Sequence, residues 1–224
     1  VKELLERLRG GLIVSCQAKS GSALDHPAII AALAQAAQDH GAVAVRIAGP
    51  ANLRAVRARV NVPIIGLIKQ NYEGFEPYIT PTLAEVEVIL EAGAEIVAFD
   101  ATDRARPSGE NLAVLIEGIH RSGAVAMADC ARGPDGQSAL ALGSDIIATT
   151  LCGYTKETAG IALPALELVR EFRARGGFVI CEGGIHSPLA GRAALDAGAD
   201  AIVVGTAITG VDWLVEQFAA ALRT

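Results

Sequence analysis

The sequence predicts an α/β fold in which eight parallel strands, each followed by a helix, close into a barrel behind an N-terminal helix. Three observations predict it. The first is a set of eight short apolar runs rich in β-branched residues, at 12–17, 43–47, 63–69, 96–100, 125–129, 146–150, 178–182 and 201–205, with helical periodicity between them. The second is spacing: the runs start roughly 20 to 33 residues apart, enough for a helical crossover and never short enough for a hairpin. The third is composition. The 224 residues are 51% hydrophobic but only 4% aromatic, so the core is aliphatic, as suits strands buried on both faces beneath Ala-rich helices. Eight such units in a chain of this length make a small TIM barrel, one domain over residues 1–224. A doubly wound open sheet is the alternative. Its Gly-x-Gly-x-x-Gly signature is missing after the first strand, where Cys16-Gln17-Ala18-Lys19 stands instead.

Residues 1–10 read as a charged amphipathic helix and not as a signal peptide. The first strand leads through a polar loop into an Ala-rich helix over residues 27–39, and the second into a helix from Ala51. Two later connections are long: residues 70–81, with Gly74 and two prolines, and residues 101–109, with Asp103, Arg104 and Arg106. Loops of that length in a compact barrel cover a ligand or make subunit contacts, and the residues leave both open. Gly41, Gly93, Gly123, Gly143, Gly176 and Gly198 stand just ahead of strands, where a helix stops on a left-handed residue past its end. A Gly153-Tyr154-Thr155-Lys156 turn after the sixth strand is placed to close over the barrel mouth. The seventh run ends on Glu182-Gly183-Gly184, with a helix expected to start near Ser187-Pro188, and the eighth on Gly205-Thr206.

The net charge of −6 is spread over both halves without a basic block, which argues against nucleic acid and acidic membranes as partners. No apolar run approaches the ~18 residues that span a bilayer, so a cytoplasmic location is expected. Cys16, Cys130, Cys152 and Cys181 show no CxxC spacing. They read as reduced thiols, small buried residues near strand ends rather than a metal cluster, and no metal is expected.

In such a barrel the chemistry sits where the strands end. Those ends carry Gln17, Arg46, Lys69, Asp100, Asp129, Thr149, Thr150, Glu182, Gly205 and Thr206. Arg46 and Lys69 end neighbouring strands, and Glu182 faces Lys69 across the mouth. Desolvation and a like charge beside it both disfavour the ammonium form of Lys69, which makes a lysine a usable base or nucleophile near neutral pH. The plainer reading is a lysine that snorkels out to pair with Glu182 or an aspartate. Gly183 and Gly184 on one loop, with Gly205 and Thr206 on the next, match the phosphate cradle of many such barrels; the plainer reading is two turns.

The residues then resemble a known family, the N-acetylmannosamine-6-phosphate 2-epimerases of bacterial sialic acid breakdown. The motifs that carry the resemblance are Ser15-Cys16-Gln17-Ala18, Val45-Arg46-Ile47, Gly66-Leu67-Ile68-Lys69, Tyr78-Ile79-Thr80-Pro81-Thr82, Asp100-Ala101-Thr102, Met127-Ala128-Asp129, Thr149-Thr150-Leu151-Cys152-Gly153-Tyr154-Thr155, Cys181-Glu182-Gly183-Gly184-Ile185 and Gly205-Thr206-Ala207-Ile208-Thr209. The resemblance implies a cofactor-independent interconversion of N-acetylmannosamine 6-phosphate and N-acetylglucosamine 6-phosphate. By it Lys69 is the acid/base at C2, Glu182 assists proton movement, and Gln17, Arg46 and Asp129 hold the ring-opened sugar, with Thr150 beside them. The expected partner is a phosphorylated amino sugar, and a homodimer is the expected assembly. The family commonly has Arg-Pro where this chain has Gly210-Val211, so one substrate-facing positive charge is either absent or supplied by Arg104 or Arg106. Two other classes stay open: a lyase or aldolase with Lys69 as Schiff base, and a non-catalytic sugar-phosphate sensor.

Overall fold

A computed structural model describes residues 1–223. Eight strands form one closed parallel barrel in sequence order: β1 (Leu12–Cys16), β2 (Ala44–Ala48), β3 (Ile64–Leu67), β4 (Ile96–Asp100), β5 (Val125–Asp129), β6 (Ile146–Ala148), β7 (Phe178–Glu182) and β8 (Ala201–Val204). The ring closes where Leu12 pairs with Ile202 and Val14 with Val204. Around it run α1 (Lys2–Leu8), α2 (Pro27–Asp39), α3 (Pro50–Arg57), α4 (Leu83–Glu91), α5 (Leu112–Arg121), α6 (Gly133–Ala141), α7 (Leu166–Arg175), α8 (Pro188–Asp196), the short α9 (Thr206–Thr209) and α10 (Val211–Ala221). The expected barrel with its N-terminal helix is therefore what the chain forms.

The two faces of each strand sort the core into two layers. Ile13, Ile65, Met127, Ile146, Ile180 and Val203 fill the barrel interior, and Leu8 of α1 joins them. The alternate residues, such as Val45, Ile64, Val97, Ile147 and Val179, pack outward against the helices. A period of two along each strand decides which layer a residue enters. That parity also aims the site: Arg46, Asp129 and Glu182 fall on the interior phase of β2, β5 and β7, so they end the strands pointing into the barrel.

The glycine punctuation has one physical origin. Behind α2 the Gly41 N–H reaches Gln38 O and the Ala42 N–H reaches Ala37 O, and the same pair of contacts recurs behind α4, α5, α6 and α8. Each satisfies two carbonyls at the helix end and needs a residue with positive φ, 98° at Gly41 and 110° at Gly198. The strands stop earlier than the apolar runs suggest: Gln17, Lys69, Thr150 and Gly205 lie one or two residues past the ends of their strands. At β3 the cause is visible. Residues 78–80 fold back from the long loop, so that the Thr80 N–H reaches Ile68 O at 2.8 Å, the Gln70 N–H reaches Tyr78 O at 2.9 Å, and the Asp100 N–H reaches Ile79 O at 2.9 Å. This segment wedges between β3 and β4, whose own pairing ends at Gly66 and Val97. Among the described residues, no helix is long and apolar enough to cross a membrane.

Candidate active site

A cavity of about 520 Å³ opens at the C-terminal end of the barrel. At its base lie Arg46, Lys69, Glu182, Thr150 and Gln17, and on its β7 and β8 side lie Gly183, Gly184, Gly205 and Thr206. Of the strand-end residues named from the sequence, Asp100, Asp129 and Thr149 do not line it.

Asp129 sits one layer below, fully buried. Its carboxylate takes both ends of the Arg46 guanidinium, Nη1 to Oδ1 at 3.1 Å and Nη2 to Oδ2 at 2.6 Å. The same Nη1 lies 3.0 Å from Glu182 Oε2. Burial works against the Arg46 charge, but Asp129 and Glu182 outweigh it and raise its pKa, so the guanidinium stays charged. Asp129 does not line the cavity itself, and its side-chain contacts run to Arg46 and Thr150, which do.

Burial pushes Glu182 up to about 7, with Asp129 adding to the rise and Arg46 opposing it. Thr150 Oγ1 lies 2.7 Å from Asp129 Oδ1 and 3.2 Å from Glu182 Oε2. The Thr150 hydroxyl donates towards both carboxylates, and its bond to Glu182, like the charge of Arg46, opposes the rise that burial causes. The Glu182 backbone is pinned as well, its N–H donating to Thr149 Oγ1 at 3.0 Å while the Thr149 hydroxyl donates to Glu182 O at 2.9 Å.

Lys69 is held by its backbone and left free at its tip. The wedge fixes its position: the Ile68 N–H donates to Thr80 Oγ1 at 3.2 Å, and Lys69 bridges to Ile79. Thr80 accepts from Ile68 with a left-handed backbone, φ 43°, which costs a β-branched residue about 1–3 kcal/mol. Among the described residues, Lys69 Nζ has no hydrogen bond or ion pair within 4 Å. The reading of a lysine paired off with Glu182 or an aspartate is therefore not what the fold builds. Burial lowers its pKa and nearby Arg46 lowers it further, while Glu182 and Asp129 partly restore it.

The phosphate-side loops carry open backbone donors. Gly183 and Gly184 stand at φ 104° and 69°, and among the described residues the N–H groups of Gly183, Gly184, Gly205 and Thr206 make no hydrogen bond within the chain. Gly184 is also a packing requirement, since a Cβ there would lie 2.2 Å from Leu163 Cβ. Gln17 gives its Nε2–H to Ser15 Oγ at 2.9 Å, and its buried Oε1 has no partner among the described residues.

Several expectations change at the rim. Arg104 and Arg106 do not reach the cavity: Arg104 donates to Asp100 Oδ2 at 2.7 Å and to Thr102 Oγ1 at 2.8 Å, and Arg106 to the Asp100 carbonyl. They fold the 101–109 loop onto its own strand, so neither supplies a charge in place of the Gly210-Val211 departure. Tyr154 of the β6 turn does line the mouth, and Lys156 beside it pairs with Glu76 of the 70–81 loop. Sequence reasoning missed Lys19, Leu24, His186, Trp213 and Glu216, which line the outer cavity. They come from loops and from α10, where no strand pattern points. All four cysteines are buried and unpaired, and burial pushes Cys16 up to about 12 and Cys181 to about 11, as for inert packing residues. Among the described residues, no three His, Cys, Asp or Glu side chains gather as they would around a metal ion.

Comparison with known proteins gives one consistent result. A family profile described as putative N-acetylmannosamine-6-phosphate epimerase matches residues 30–224. The chain is 48% identical over 222 residues to a putative N-acetylmannosamine-6-phosphate 2-epimerase of Thermosynechococcus vestitus, covering 98% of this chain and 96% of that one. It is 46% identical to one from Klebsiella pneumoniae, with 97% and 92% covered. The structure of the N-acetylmannosamine-6-phosphate 2-epimerase from Clostridium perfringens superposes with a TM-score of 0.94 at 40% identity, over 97% of this chain and 96% of that one.

Proposed function

The chain belongs to the N-acetylmannosamine-6-phosphate 2-epimerase family, and from that premise we propose how its residues carry the reaction. The enzyme is an isomerase of amino sugar metabolism that interconverts N-acetylmannosamine 6-phosphate and N-acetylglucosamine 6-phosphate. The matches favour epimerisation over a Schiff-base lyase or a silent sensor.

In the ring-opened sugar the C2 hydrogen is α to an aldehyde. Its removal breaks the C2–H bond, leaves the electron pair as an enolate with charge on O1, and makes C2 planar; return of a proton to the opposite face inverts the centre. The observation that carries the assignment is the free Lys69 Nζ, its pKa lowered, on the wall shared with Arg46 and Glu182. Lys69 takes the C2 proton as an amine; for the ammonium so formed to return a proton, the planar intermediate must turn its opposite face to Nζ. Arg46, held charged by Asp129, stabilises the developing charge on O1. Glu182, near neutrality in its titration, moves the oxygen-bound proton that ring opening and closing require. Gln17 and Thr150 orient the sugar, and the amides of Gly183, Gly184, Gly205 and Thr206 receive the phosphate. Oxidation state does not change, so the chemistry calls for no redox cofactor. An NMR assay fed with either hexosamine phosphate tests the reading: each must give the other.

The same reading takes the enzyme as cytoplasmic and as acting in sialic acid breakdown. It also takes the protein as a homodimer. Support comes from α10, which buries none of its residues, while Val211, Val215, Phe218 and Leu222 are 47%, 60%, 71% and 85% exposed at helical spacing. Sedimentation of the wild type against Phe218→Glu tests it; a monomer in both discards the dimer.

A further inference from the structure

We propose that Thr149, which does not line the cavity, is a positioning residue for Glu182: its hydroxyl stands in for the stretch of strand that β6 would otherwise continue beside β7. The inference rests on Glu182 moving a proton in the reaction.

The ladder shows where the exchange is made. β6 and β7 pair from Ile146 with Phe178 to Ala148 with Ile180, and the Thr149 N–H still donates to Ile180 O at 3.2 Å. One step further, a continued parallel ladder would give the Glu182 N–H the Thr149 carbonyl as acceptor, and the Glu182 carbonyl the Leu151 N–H as donor. Both of those groups are used elsewhere. The Thr149 carbonyl accepts from the Cys152 N–H at 3.0 Å, and the Leu151 N–H donates to the carbonyl of Cys130, just past β5, at 3.0 Å. The Thr149 hydroxyl takes both places at once, accepting from the Glu182 N–H at 3.0 Å and donating to Glu182 O at 2.9 Å. Its other neighbour, Cys181 Sγ at 3.9 Å, is the weaker acceptor. A group must both donate and accept to serve an N–H and a carbonyl together, and Thr149 is fully buried, so bulk water does not compete.

The consequence falls on the site. Because the chain leaves the sheet at Thr149, it can turn, and Thr150 presents its hydroxyl to Asp129 Oδ1 at 2.7 Å and to Glu182 Oε2 at 3.2 Å. Glu182 would pay for that turn without Thr149. It is the last residue of β7 and is followed by Gly183 and Gly184 at φ 104° and 69°. On one side it pairs with Val203 of β8; on the other Thr149 holds it. Its carboxyl lies 3.0 Å from Arg46 Nη1, and a misplacement of about 1 Å in a reacting group is enough to cost about 10²-fold in rate.

The test is a cycle of variants read by steady-state kinetics and urea unfolding. Thr149→Val keeps the shape and removes both bonds, so kcat should fall about tenfold or more while KM changes by less than about twofold. Thr149→Ser keeps both bonds and should restore kcat. The comparison that separates positioning from general support is made in the Glu182→Gln background, where the side chain that Thr149 positions no longer exchanges a carboxyl proton: there Thr149→Val should cost less than about twofold. An equal loss in both backgrounds would overturn the proposal, as would wild-type kcat in Thr149→Val or a Thr149→Ser no better than Thr149→Val. An unpaired buried N–H and carbonyl are costly, so Thr149→Ala is measured alongside. Its smaller side chain leaves room for a water between the two groups, and the same comparisons apply to it where Thr149→Val does not fold. Failure of the underlying reading looks different. If Glu182→Gln alone keeps wild-type kcat, Glu182 moves no essential proton and the proposal falls with it. If Glu182→Gln is slow while Thr149→Val and Thr149→Ala are not, the role of Glu182 stands and only the Thr149 proposal falls.

Discussion

Arg46 and Asp129 clasp one another through two parallel contacts, at 3.1 and 2.6 Å, in the centre of the barrel where neither is more than 1% exposed. Asp129→Asn keeps the shape and one acceptor but leaves a buried guanidinium with Glu182 as its only close carboxylate. Removing one partner of a buried pair costs about 3 kcal/mol or more. The variant should unfold at markedly lower denaturant. It should also move the titration of Glu182 downward, because a like charge that raised it is gone; an unchanged pH–rate profile would sever Asp129 from the chemistry.

That titration has a sign that can be checked. The folded Glu182 carboxyl is pushed up to about 7 from 4.5, so the native state holds its proton more tightly than the unfolded chain. Its contribution to stability is full below the unfolded value and is lost as pH rises through the folded one. Unfolding free energy should therefore slope downward between about pH 4.5 and about pH 7 on account of this residue. Glu182→Gln should flatten that part of the curve, slow turnover, and leave phosphate affinity in place. A variant whose stability curve still matches wild type over that window would remove the shifted pKa.

Much of this was legible in the sequence, and the limits of legibility have a physical shape. Strand parity is a covalent property, so Arg46, Asp129 and Glu182 could be aimed inward from their place in each apolar run. Which of them lines the cavity was not legible, because Asp129 is held beneath Arg46 by an ion pair that joins β2 to β5. The fate of Arg104 and Arg106 was hidden for the same reason: their partner Asp100 is close in sequence, but nothing in the residues says that the loop folds back. His186 and Trp213 come together from separate loops and helices, a contact with no period to betray it.

Thr80 offers a test of how Lys69 is placed. Its hydroxyl accepts from the Ile68 N–H next door to the lysine, so Thr80→Ser should retain activity while Thr80→Ala loosens the strand end. Small misplacements of a reacting group are expensive, and kcat should fall by about tenfold or more with KM little changed. Equal kcat in the two variants would show that the clamp does not position the base.

The glycine loops are not equivalent targets. At Gly184 any side chain collides with Leu163, so Gly184→Asp tests folding as much as binding, contrary to what two matching loops suggest. Gly205 has φ −111° and its Cβ would lie 3.2 Å from Ser15 Cβ, a tight but yielding contact. Gly205→Asp should fold, and it should raise KM for the phosphorylated sugar by roughly tenfold or more through repulsion of the dianion. Isothermal titration with inorganic phosphate gives the same comparison without turnover.

Lys69 carries the most demanding prediction. If its amine moves the C2 proton, turnover in heavy water must place deuterium at C2, because an ammonium exchanges its protons with solvent. Lys69→Met keeps the length and apolar packing of a side chain that makes no ion pair here, so the fold should survive and its stability should change little. Exchange and epimerisation should disappear together, by ~10²-fold or more, the usual contribution of a general acid–base group. Deuterium uptake in Lys69→Met at near the wild-type rate would move the base elsewhere, with Glu182 the first candidate because it is a carboxyl lining the same cavity, pushed up to about 7. Epimerisation without any uptake in the wild type would mean a shielded proton or a route that never breaks the C2–H bond. Borohydride separates off the remaining chemistry: a Schiff base on Lys69 would be trapped with substrate present, whereas a lysine that acts only on protons leaves nothing to reduce.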